Sequence, residues 1–100
     1  MSPAALEFHP DAVAEARAAR EWYAEQSHAA ADAFVTEFDR AVELIRRNPD
    51  RWPAYLHGTK RYLLRRFPYS IASSIRNNRE RQVLAVVHGR RRPGYWKKRK

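Results

Sequence analysis

Residues 60–89 read "KRYLLRRFPYSIASSIRNNRERQVLAVVHG", and the punctuation of this stretch decides the fold. Phe67-Pro68-Tyr69 makes one corner and Asn77-Asn78 starts a second turn. Between these breaks lie three runs, 60–67, 69–76 and 82–89. Their hydrophobic period is two, which predicts three strands returning on one another. Val83 to Val87 is apolar at consecutive positions, so the last strand is expected to be covered on both faces. In the first run, alternation groups Arg61, Leu63, Arg65 and Phe67 against Lys60, Tyr62, Leu64 and Arg66. Both groups carry charge, so this strand cannot be fully buried. Alternation alone does not choose which group faces inward.

Upstream the period changes to that of a helix. Ala12, Ala16, Ala19 and Tyr23 recur at spacings of four, three and four, one helical face flanked by Trp22. That face is mostly alanine, so whatever packs on it can come close. Pro10 suits the first helical position, with His9 as the cap, and Asp11 and Glu15 put negative charge near the helix's positive end. Ser27 caps a second helix, from about Ala29 to Asn48, lined by Phe34, Phe38, Ala41, Val42 and Ile45. Asn48-Pro49 stops it, because a residue before proline avoids the helical region. Two helices joined so closely predict an antiparallel hairpin. "ALEFH" ahead of them reads as a short first strand. The order is β-α-α-β-β-β, an α+β domain with the hairpin on one face of an antiparallel sheet. One domain is expected over residues 1–96, with 97–100 as a loose basic tail.

Composition narrows the function. No run approaches the length of a membrane span. "MSPAALEFHP" lacks the basic and apolar regions of a signal peptide, which points to the cytoplasm. There is no cysteine, and the four histidines stand singly, so neither a structural metal nor a cofactor is expected. The charge is segregated. Residues 1–59 hold six Lys/Arg against ten Asp/Glu, a net of −4, and residues 60–100 hold fourteen against one, a net of +13. One strongly positive surface follows, and its natural partner is a polyanion or an acidic protein segment. Lys60, Arg61, Arg66, Arg90, Arg92 and Trp96 are its expected binding residues, with aromatics available to stack on bases. Solvated arginines that only aid solubility are the bland alternative, but a solubility device would mix the signs. Tyr95 and Trp96 follow Pro93-Gly94 in "HGRRRPGYWKKRK", residues 88–100. Two large aromatics beside a charged end are expected to pack back on the sheet or to form part of a site.

The motifs "FHP", "WY", "F…EF", "NPDRWP", "RRFPYSI" and "VLAVVHGRRRPGYW", in this order from Leu6 to Trp96, resemble the RelE/ParE superfamily of type II toxin–antitoxin toxins. The resemblance implies a small α+β toxin that halts growth until an acidic antitoxin covers it, with higher oligomers formed through that antitoxin. Two mechanisms exist in the superfamily. RelE-like members cut messenger RNA on the ribosome, and ParE-like members poison DNA gyrase and lack the nuclease residues. For the nuclease route the resemblance implies His88 or Tyr95 for proton transfer, with Arg65 and Arg91, aided by Arg61 and Arg90, holding phosphorane charge. Neighbouring arginines are expected to push the Tyr95 hydroxyl toward acting as a base. Ser73 and Ser74 stand where Tyr-Arg is common in this subgroup, which leaves an inactive homologue open. A non-catalytic nucleic-acid-binding module is the reading from a different class.

Overall fold

In a computed structural model, residues 6–48, 51–76 and 80–99 are described. The Asn77-Asn78 turn, Ala5 of the first strand, Pro49 and Lys100 lie outside them. The elements are β1 (Leu6–Phe8), α1 (Pro10–Gln26), α2 (His28–Arg47), β2 (Lys60–Leu63), β3 (Tyr69–Arg76) and β4 (Glu80–His88), with short 3-10 turns at Leu56–Gly58 and Lys97–Arg99.

The helix ends follow from their caps. His9 Nδ1 accepts the Asp11 amide at 3.0 Å, and Pro10 opens α1 with no amide left to satisfy. Ser27 ends α1 and starts α2, its hydroxyl accepting the Ala30 amide at 3.0 Å. Asn48 caps α2. The alanine face lies against β4, with Ala12 and Ala19 buried. Phe34, Ala41 and Ile45 of α2 complete the core with Ile71, Val83 and Val86.

The sheet order is β1-β4-β3-β2. β2, β3 and β4 are antiparallel, as expected, but β1 runs parallel to β4, so the sheet is mixed. A β-bulge shifts the β3–β4 register between Ala72 and Ser73: Ala72 opposes Ala85 and Ser73 opposes Val83. Leu84 is the extra residue on β4. The bulge lets both Leu84 and Ala85 point away from the helices, while Val83 and Val86 point toward them. This is how β4 comes to be apolar on both faces.

Pairing resolves the ambiguity of β2. Tyr62 opposes Ile71 and so faces the helices together with Lys60, whereas Arg61 and Leu63 face outward. The strand stops at Leu63, short of the expected residue 67. The reason is Glu37 of α2, which accepts the Arg65 amide at 2.6 Å and the Arg66 amide at 3.3 Å. The chain bends there, which returns Phe67 to the helix-side core against Tyr23 and Phe34.

The outer face of the sheet is covered by the chain's own C-terminal turn. Trp96 is fully buried against Ala72, Leu84, Ala85 and Val87. Tyr55 stacks on it, ring centroids 5.6 Å apart. Trp96 therefore holds the fold together and is not the surface contact that the sequence suggested.

Candidate functional site

The positive surface is built on two bends that meet. At the first, Leu64 donates its amide to the Tyr69 carbonyl and leaves Arg65 and Arg66 exposed at the tip. At the second, His88 closes β4. Its Nδ1 accepts the Arg90 amide at 3.0 Å, and its carbonyl accepts the Arg91 amide at 2.9 Å. The Gly89 amide ties the bends together by donating to the Pro68 carbonyl at 2.7 Å. The edge of the His88 ring meets Tyr69.

Between the bends lies a cleft of about 370 Å³ in which Arg61, His88 and Arg91 come together. It shares Tyr55, Arg61 and Leu63 with a neighbouring depression that holds Arg51 and Arg65. On its other flank it shares Pro93 with a depression lined by His57, Arg92, Lys97 and Lys98. Among the described residues, no carboxylate lines any of the three. Lys60 stays out of this row because it points to the helix side, its Nζ donating to the Trp52 carbonyl. Arg66 is spoken for by Glu37, Nε to Oε1 at 3.4 Å. Arg90 is exposed on the turn.

Tyr95 departs from the sequence-based expectation. β1 is only three residues long, and its last bond to the neighbouring strand runs from the His9 amide to the Val83 carbonyl. Beyond that point the edge of β4 has no strand beside it. Side chains take its place. Glu15 accepts the Val86 amide at 3.0 Å, and Arg99 donates to the Leu84 carbonyl at 3.0 Å. Tyr95 donates its hydroxyl proton to Glu15 Oε2. Arg99 pairs with Glu15 at 2.7 Å, and Arg91 sits 3.9 Å from the Tyr95 ring centre. An exposed strand edge invites foreign strands, and this network closes it.

The consequence for chemistry is direct. Burial and the Glu15 carboxylate push the Tyr95 hydroxyl well above its ordinary pKa, and they outweigh the opposing pull of Arg91 and Arg99. Tyr95 thus donates a hydrogen bond to a carboxylate, and its pKa moves in the direction opposite to the one expected from the neighbouring arginines. Arg99, within the expected basic tail, packs its side chain against this network and is only 15% exposed.

A stability consequence follows. The phenol is neutral when protonated, so below the ordinary tyrosine pKa of ~10 it costs nothing in either state. Above that pH the unfolded chain releases the proton while the folded chain retains it, so stability falls as pH rises. In a tyrosinate absorbance titration up to about pH 11, the parent and Tyr95→Phe should rise equally while folded. A smaller rise in the variant would show that Tyr95 ionises normally.

Sequence reasoning gave Glu15 only a place near the positive end of the first helix and missed its partners, together with the roles of Glu37 and Arg99. A signal was present for the two carboxylates. Glu15 lies three residues after Ala12 and four before Ala19, within the buried stripe. Glu37 lies three after Phe34 and four before Ala41. An acid in that position must reach a partner across the packed face.

With this geometry in place, comparison with known proteins is informative. The family model described as the ParE toxin of the type II toxin–antitoxin system parDE matches residues 6–93. The chain belongs to the ParE toxin family. No curated protein matches it. Among solved structures, a chain of the chromosomal ParDE toxin–antitoxin system from P. aeruginosa is similar at a TM-score of 0.73 and 18% identity, over 85% of this chain and 95% of that one. That likeness speaks to the fold. A ParE-family toxin of this kind is one half of a toxin–antitoxin pair, so an antitoxin is its expected companion. No helix among the described residues is long and apolar enough to cross a membrane.

Proposed function

We propose that this ParE-family toxin arrests growth in the cytoplasm by poisoning DNA gyrase, without cutting nucleic acid itself, and that a cognate acidic antitoxin neutralises it. The observation that supports this reading is the engagement of Tyr95. Cleavage of RNA through its 2′-hydroxyl needs a base and an acid on either side of the phosphate. One of the two candidate proton carriers is committed to Glu15 and the β4 edge, which leaves His88 alone among the cations of the cleft. Poisoning another enzyme needs a surface of defined shape and charge, and no proton transfer.

One observation favours the nuclease reading instead: His88 shares its cleft with Arg61 and Arg91, a proton carrier between two cations. The two readings part on a single substitution. Under tightly controlled expression, His88→Gln should keep toxicity within a few-fold of the parent if gyrase is the target, and cells should mount a DNA-damage response while translation continues. A loss of more than about 100-fold, the usual scale for a missing acid–base group, with transcripts broken first, would favour ribosome-dependent cleavage.

A further inference from the structure

Some cations of this chain are neutralised by carboxylates and others are not. Arg46 and Arg47 pair with Glu43, Arg66 with Glu37, and Arg91 and Arg99 with Glu15. Arg51, Arg61, Arg65, Arg92, Lys97 and Lys98 have no ion pair among the described residues, and all six line three adjoining depressions that run from the β2 edge past the two bends to the C-terminal turn. We propose that this row binds the phosphodiester backbone of double-stranded DNA directly, so that the toxin grips DNA as well as its protein target. The choice of DNA rests on the gyrase reading; the choice of a duplex backbone does not.

Three features carry the assignment. The first is uncompensated charge: six cations border depressions that no carboxylate of the described residues lines, so a repeating anion can neutralise several at once and release their counterions. The second is rigidity. A Cβ on Gly94, whose φ is +82°, would lie 2.6 Å from His57 Nε2. The turn that carries Arg92, Lys97 and Lys98 is thus pressed onto the loop beside Tyr55 and Arg61, and the walls are fixed before any ligand arrives. The third is the state of the aromatics. Trp96 is buried, Tyr55 is stacked on it, and the Arg61 guanidinium covers Tyr55 at 4.3 Å. The expected stacking platform for bases is therefore already occupied. A single strand gains most of its sequence-indifferent affinity from such platforms, whereas a duplex needs only the cations.

The test uses the full chain and fluorescence anisotropy with a 20-base-pair DNA duplex, the matching RNA duplex, one DNA strand and a poly-glutamate peptide. DNA duplex binding should be indifferent to sequence. Its log–log salt slope should lie near −4 to −5, as for about five phosphates, which weakens binding several-hundred-fold between about 50 and 200 mM salt. Arg61→Glu with Arg92→Glu should weaken it on the order of 50-fold. Arg17→Glu with Arg20→Glu, the same charge change on the exposed side of α1, should leave it within a few-fold. Both doubles are checked for a parental melting transition. Equal loss in the two doubles, tighter binding of poly-glutamate, or no duplex binding at about 50 mM salt would overturn the proposal. Binding of duplex RNA without DNA would overturn the DNA assignment and with it the gyrase reading. Because gyrase is absent from the assay, intact DNA binding by a chain that fails to poison gyrase would count against the function alone.

Discussion

Trp96→Ala lowers the melting temperature by about 20 °C. The indole is fully buried on the outer sheet face, and replacing a buried tryptophan by alanine costs about 3–5 kcal/mol. In a domain of about 100 residues each kcal/mol moves the midpoint by roughly 4–8 °C. The site cannot collapse to fill the gap. Its floor is the sheet itself, at Ala72, Leu84 and Ala85, and its lid is Tyr55, which Arg61 holds from above. Trp96→Phe should cost much less. It keeps most of the apolar volume and removes an indole N–H that is buried with no hydrogen-bond partner. Thermal melting followed by circular dichroism separates these cases. A shift of a few degrees for Trp96→Ala would mean that the C-terminal turn is not packed on the sheet.

Glu15→Ala is nearly as costly, and for a different reason. The carboxylate is 14% exposed and serves the Val86 amide, the Tyr95 hydroxyl and the Arg99 guanidinium together. Removing one partner of a mostly buried ion pair leaves the other charge without compensation, a loss of about 3–5 kcal/mol. The melting temperature should fall by roughly 15 °C, and the β4 edge beyond Val83 should lose amide protection. Glu15→Gln keeps one carbonyl oxygen for the Val86 amide, and its NH2 can donate to the Tyr95 hydroxyl oxygen in place of accepting from it, so the charge and one acceptor are lost but the volume stays, and its effect should be smaller. Equal effects from the two variants would show that packing, and not the ion pair, is what Glu15 supplies.

Much of this fold could be read from the sequence because it is written in periods and stops. The 3.6-residue recurrence of Ala12, Ala19, Phe34 and Ile45, the caps His9 and Ser27, and the corner at Pro68 all act locally. What could not be read depends on partners distant in sequence. The parallel seat of β1 depends on where β4 returns. The early end of β2 depends on Glu37, twenty-eight residues from Arg65. The network at Tyr95 spans eighty residues to Glu15. For the site, charge segregation was visible and the clustering of Arg61, His88 and Arg91 follows from it. Which cations were already neutralised, and which rings were already covered, depended on those same distant contacts. That is why Tyr95, Trp96, Lys60 and Arg66 had looked available.

Purified gyrase acting on supercoiled plasmid tests the central claim most directly. With the toxin present, linear DNA should accumulate once the reaction is stopped with detergent and protease, and His88→Gln should produce nearly as much. Unchanged supercoiling with no linear product, from a chain that still halts growth, would contradict the account.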